Sequence, residues 1–89
     1  MTSPSDAPHA LFSTFVMSLA SAAFIELGMI EDPATKKKHV QLEVARQHID
    51  LLSMLQEKTR GNLSPEEKEL LGKVITDLKL EYVKGNKGK

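Results

Sequence analysis

The sequence predicts an all-α fold of three helices, at about residues 9–29, 41–60 and 65–83. Three observations carry this. Apolar residues recur at helical spacing in the second and third segments, while nothing alternates with a strand's period of two. A capping signature, Ser64-Pro65-Glu66-Glu67, opens the third segment. The stretch 10–30, ALFSTFVMSLASAAFIELGMI, is a long helical candidate whose only charge is Glu26.

The first helix follows a small, polar, proline-containing segment, MTSPSDAP, read as a disordered tail over 1–8. Ser5 or Asp6 can cap the helix, and Pro8 is tolerated in its first turn. Gly28 sits near its end as a stop. The connector 31–39 is polar, and Pro33 prevents the helix from continuing because it lacks an amide hydrogen and restricts Asp32.

In the second helix Leu42, Ala45, Ile49 and Leu52 form one apolar seam, and Val44, His48, Leu51 and Leu55 form a second beside it. Gly61 marks the stop. In the third helix Ser64 is the N-cap, Pro65 takes the first helical position and Glu67 completes a capping box. Leu71, Val74, Ile75, Leu78 and Tyr82 make its core stripe, and 84–89 is read as a disordered basic tail. The turn between the second and third helices is short, so they pack antiparallel. Residues 9–83 thus form a single domain.

Composition narrows the function classes. Twelve basic and twelve acidic residues cancel, which gives no overall pull toward nucleic acid. Trp is absent and Tyr82 is the single tyrosine, so no base-stacking platform is visible. Lys36, Lys37, Lys38 and His39 form one small basic cluster, and Lys84, Lys87 and Lys89 another. The neutral balance favours reading both as solvated charges. With no cysteine, the chain has no disulfide, thiolate metal site or cysteine nucleophile.

Catalytic and metal chemistry lack a convergent set, so the chain is read as not an enzyme and without a cofactor. The Glu-x-x-His pairs of di-metal bundles do not occur. His48 alone of the three histidines falls on an apolar face, and it lies two residues from Asp50, on a different side of the helix. The scattered glycines form no phosphate loop. Glu26, a charge in an apolar segment, either reaches water at the last turn or pairs, with Arg46 or Arg60 as partners.

The stretch 10–30 has the length of a membrane span. Its nine Leu, Ile, Phe and Val residues favour insertion by about 3 to 5 kcal/mol. Ser13, Thr14, Ser18, Ser21, Glu26 and Gly28 offset that gain. The segment before it has no Lys or Arg, which argues against a cleavable secretory signal.

A helix apolar all round must still be surrounded. Thr14, Ser18 and Ala22 repeat at every fourth residue with Ser21 adjacent, a ribbon of small side chains that admits a second helix closely. Phe12, Phe15, Val16, Leu19 and Ala23 occupy the other side. Two neighbouring helices cannot cover both. The expectation is therefore self-association through Thr14, Phe15, Ser18, Leu19, Ser21, Ala22 and Ile25, giving a homodimer or higher oligomer. The corresponding function is a protein–protein interaction or scaffold module. The alternative is a membrane-associated protein anchored through 10–30.

Several phrases also resemble a known family when read in order: FSTFVMSLA at 12–20, LGMI at 27–30 with Asp32-Pro33, ARQHIDLL at 45–52 and KTRGNLSPEE at 58–67. Together they resemble the bacterial domain of unknown function family number 1844, over about 11–83. The resemblance implies a small helical protein of the bacterial cytoplasm and brings no activity, cofactor or catalytic residue. It leads to a glycine being expected in the connector turn where Lys36 stands. It also draws attention to Arg46, Gln47, Asp50, Thr59, Arg60 and Asn62. These are either a binding surface for a further protein partner or residues that cap helix ends and fix the turn between the second and third helices.

Overall fold

The structure, a computed structural model, describes residues 7–87, and the side chains of residues 11–85. The expected N-terminal caps, Ser5 and Asp6, and the outermost parts of both expected tails lie outside the described residues. Within them the chain forms three helices: α1 (Ala7–Glu26), α2 (Leu42–Lys58) and α3 (Pro65–Lys87). The bundle spans 45 × 27 × 15 Å along its principal axes.

α1 ends three residues earlier than the apolar pattern suggests. The Met29 amide donates to Phe24 O and the Gly28 amide to Ile25 O, both at 3.0 Å, with Gly28 at φ +80°. This is a Schellman stop, which needs a left-handed residue that glycine supplies without a Cβ clash. Residues 27–30 therefore turn away rather than extend the helix.

The connector folds back on itself. Asp32 and Lys37 form an antiparallel bridge, with the Asp32 amide donating to Lys37 O at 2.9 Å. Lys36 adopts φ +58°, a left-handed conformation in a non-glycine residue. The turn thus keeps the shape for which the family resemblance expects glycine, while carrying a lysine. The connector returns the chain to the end of α1, where the Gln41 amide donates to Glu26 O at 2.7 Å. α2 then runs back along α1.

Gln41 is the N-cap of α2: its carbonyl accepts from the Ala45 amide, and its side chain makes no capping bond. The helix stops at Lys58, two residues before the expected boundary, as Thr59 Oγ1 bonds Leu55 O at 2.7 Å and Gly61 takes φ +86°. The capping box of α3 is complete. The Glu67 amide donates to Ser64 Oγ at 3.2 Å, and the Ser64 amide donates to Glu67 Oε1 at 2.8 Å. The box fixes a carboxylate that is only 5% exposed. α3 continues to Lys87, past the expected end at 83. Gly85 lies against α2 there: a Cβ on it would stand 3.3 Å from Leu42 Cδ2.

The core joins Val16, Ala20 and Ala23 of α1 to Ile49 and Leu52 of α2 and to Leu71, Val74, Ile75 and Leu78 of α3. Leu52, Leu71 and Leu78 are fully buried and each contributes roughly 1.5–3 kcal/mol. The expected seams of α2 and α3 point inward, with one correction: Leu51 is exposed. It lies on the flank of α2, outside the arc that α1 and α3 cover.

Candidate interaction surface

α1 is the most apolar of the helices, yet its fully enclosed side chains are small. Val16, Ala20 and Ala23 are the buried ones, with Phe12, Leu19, Phe24 and Leu27 partly covered. Small residues let α1 sit close to its neighbours and keep its large side chains from being needed inside. Three of these stay in solvent: Leu11 is 70% exposed, Phe15 52% and Met17 44%. Thr14, Ser18, Ser21, Ala22 and Ile25 line a shallow open groove along the outer side of α1. The Ser18 hydroxyl donates to Thr14 O at 2.9 Å, so its donor is already used within the helix. A hydroxyl satisfied in this way can be covered without losing a hydrogen bond.

The residues expected to mediate self-association therefore fall in two places. Thr14, Phe15, Ser18, Ser21, Ala22 and Ile25 lie on the outer side or its flank, exposed or half-buried. Leu19 does not join them: it packs against the core. Phe15, placed by helical spacing on the side opposite the small-residue ribbon, is with Leu11 a large exposed side chain of this face. Its outward position depends on where α2 lies, which no periodicity within α1 encodes.

The six polar residues singled out on α2 and its turn do not form one cluster. Arg46, Gln47 and Asp50 are exposed in the first half of α2. Arg46 Nε lies 3.9 Å from Asp50 Oδ2, a loose surface pair. Thr59, Arg60 and Asn62 belong to the turn, about 18 Å further along the helix axis at 1.5 Å per residue. There Thr59 caps Leu55, Arg60 pairs with Glu57 at 2.9 Å and the Asn62 amide donates to Thr59 O. Gln56, Arg60, Gly61, Leu63 and Lys68 outline a concavity beside this turn.

Two carboxylate–imidazole contacts stand at the α1–α2 junction. Glu26 Oε1 accepts from His48 Nδ1 at 2.7 Å, with both side chains largely covered (15% and 24% exposed). Neither Arg46 nor Arg60 takes the role considered for them from sequence: Arg46 lies beside Asp50 on α2, and Arg60, in the turn after α2, pairs with Glu57. In the connector, His39 Nε2 lies 3.3 Å from Asp32 Oδ2, and Gln41 Nε2 lies 3.1 Å from His39 Nδ1. Asp32 Oδ1 also accepts from the Ala34 amide at 2.8 Å. That backbone bond, followed by the His39 contact, holds the Asp32 carboxyl below its ordinary value. Sequence reasoning missed the connector network, although Asp-Pro followed by small polar residues is a recognisable Asx-turn signal.

Among the described residues, no group of three His, Cys, Asp or Glu side chains could hold a metal ion. No helix of the described residues is long and apolar enough to cross a membrane, so anchoring through 10–30 is not favoured. No curated protein and no solved structure matches the chain. Residues 9–84 match the family described as Domain of unknown function (DUF1844), a segment that holds α2, most of α1 and α3, and the phrases noted above. The chain belongs to that family.

Proposed function

We propose that this protein is a helical interaction module that self-associates through the outer side of α1, as a homodimer, and acts in protein–protein interaction or scaffolding in the bacterial cytoplasm. One observation carries the reading: the most apolar helix gives the core small side chains and leaves Leu11 and Phe15 in solvent. Three of the exposed large apolar side chains, Leu11, Phe15 and Met17, fall on this helix, and a contiguous apolar patch marks an interaction site more often than single residues do. The satisfied Ser18 hydroxyl and the adjacent small residues support a helix as the covering element. Arg46 and Asp50, a loose and exposed pair on α2, would be accessible to a further protein partner.

Light scattering coupled to size exclusion tests the reading. At micromolar concentration the protein is expected at twice its chain mass of 9.9 kDa. Ser18→Glu, which places a charge at the centre of the face, is expected to return it to one chain mass with its helical circular dichroism retained. A monodisperse monomer with a stable melt refutes the proposal.

A further inference from the structure

The turn between α2 and α3 brings two cations from separate segments to one concavity. Arg60 follows the end of α2, and Lys68 ends the first turn of α3. With Gln56, Gly61 and Leu63 they line a space of about 440 Å³. That volume lies within the range of small-ligand sites. No Asp or Glu lines it, which disfavours a cation. Gly61, at φ +86°, has open space where a side chain would stand. Gln56 lies over Gly72 of α3, its Nε2 3.9 Å from where a Cβ would be.

The donors around this space are unspent. Among the described residues, the Lys68 ammonium has no ion-pair partner and the Gln56 side chain no hydrogen bond. The Gly61 and Leu63 amides donate to no other group of the chain there. Arg60 gives one N–H to Glu57 at 2.9 Å, which orients the guanidinium and leaves its other donors. Charge then selects the ligand. Arg60 and Lys68 against Glu57 leave a single positive charge, which one carboxylate neutralises. A phosphate monoester carries about two negative charges and brings the excess close to Glu57. Leu63, packed against the core, adds an apolar wall.

We propose that this concavity binds a small monocarboxylate with a short apolar group, Lys68 and Arg60 holding the carboxylate and Leu63 the apolar part. Hydrogen bonds between ionised partners are the stronger kind, and capture of a carboxylate by cations and backbone amides is a recurring mode of recognition. A free carboxylic acid and the C terminus of a peptide ending in an apolar residue both offer this chemistry. The lining includes no residue of α1, so the site does not depend on the self-association proposed above. The turn contacts gain a purpose beyond ending α2: Thr59, bonded to Leu55 O and accepting from the Asn62 amide, holds the backbone on either side of Arg60 and Gly61.

Amide-resolved NMR titration of the full chain with isovalerate tests the proposal. Saturable shifts are expected in the millimolar range at the Gly61 and Leu63 amides and the Gln56 side-chain amide. Isovaleramide, and sodium chloride at the same ionic strength, are expected to leave these signals in place. Lys68→Ala is expected to raise the dissociation constant at least about tenfold, while Lys68→Arg, which keeps the charge, retains binding; both keep their helical circular dichroism. Acetyl-alanyl-leucine separates the two sources. Tighter binding than isovalerate, lost when its C terminus is amidated, upholds the site and assigns it to a chain end. Equal or weaker binding upholds it and assigns it to a free acid. No saturation in the millimolar range, shifts that follow ionic strength alone, equal binding of isovaleramide, tighter binding of inorganic phosphate, or an unchanged dissociation constant in folded K68A each overturns the proposal.

Discussion

Removing the Glu26–His48 contact separates the end of α1 from the second turn of α2. The bond is 2.7 Å long, links residues 22 positions apart, and is largely shielded from water. Hydrogen bonds that involve a charged group contribute about 1.5–3 kcal/mol. The residual exposure of both side chains places this one near the lower end. Glu26→Ala leaves His48 Nδ1 with only the 3.3 Å contact to Val44 O. His48→Ala leaves a half-buried carboxylate without its imidazole. Each single change is expected to cost about 2 kcal/mol, and the double change is expected to cost about 1–2 kcal/mol less than their sum. In a domain of this size each kcal/mol lowers Tm by about 4–8 °C. Urea melts of the wild type, both singles and the double, at one pH and one protein concentration, complete the cycle. The concentration is held fixed because association itself shifts apparent stability. Additivity within about 0.5 kcal/mol refutes the claim that this contact couples the two helices.

Two further outcomes follow from the connector. Lys36→Gly relieves a left-handed backbone at φ +58°, which costs a side-chain-bearing residue about 1–2 kcal/mol. Part of the gain is lost to the freer unfolded chain, so Tm is expected to rise by a few degrees, and a fall in Tm on thermal denaturation refutes the strain. Asp32 has its carboxyl held below the ordinary value of 3.8 by the Ala34 amide and then by His39. Its contribution is fully present above that ordinary value and is lost as pH falls through the lowered one. Asp32→Asn is therefore expected to be less stable than the wild type at pH 6, with the gap closing as acid protonates Asp32 in both folded and unfolded chains. A gap that is constant across the acid range excludes an ionic role for this carboxylate.

The helices were legible where local chemistry decides them. Ser64 and Glu67 need only three residues of spacing to form their box, and both of its bonds are present. Gly28 was legible as a stop, but the boundary was misplaced. A left-handed glycine at the C′ position ends the helix two residues before itself, at Glu26. The end of α3 was not legible, because Gly85 reads as a breaker in isolation. Its lack of a side chain serves the approach of Leu42 from another helix. The partner of Glu26 was hidden for the same reason. His48 becomes its neighbour only after the connector has turned α2 back along α1, and on sequence alone the permanent charge of the arginines made them the candidates.

The interaction surface divides along the same line. The small-residue ribbon at Thr14, Ser18 and Ala22 follows from spacing within one helix, and it coincides with the open groove. The position of Phe15 does not follow from spacing, because α1 is apolar around its whole circumference and offers no polar side to orient it. What orients α1 is side-chain size. Ala20 and Ala23 allow the close packing that α2 and α3 require, so α1 turns that side inward and Phe15 is left on the flank. A helix that needed only to complete this core could carry Lys or Glu where Leu11 and Phe15 stand, at no cost to the buried side chains. Apolar residues at those positions make sense physically when a second surface removes them from water. The same reasoning bears on the tight interior of α1. Enlarging the fully buried Ala20 or Ala23 is expected to disturb the fold, whereas changing the exposed Phe15 is expected to leave it intact, so the two sides of one helix answer to different tests.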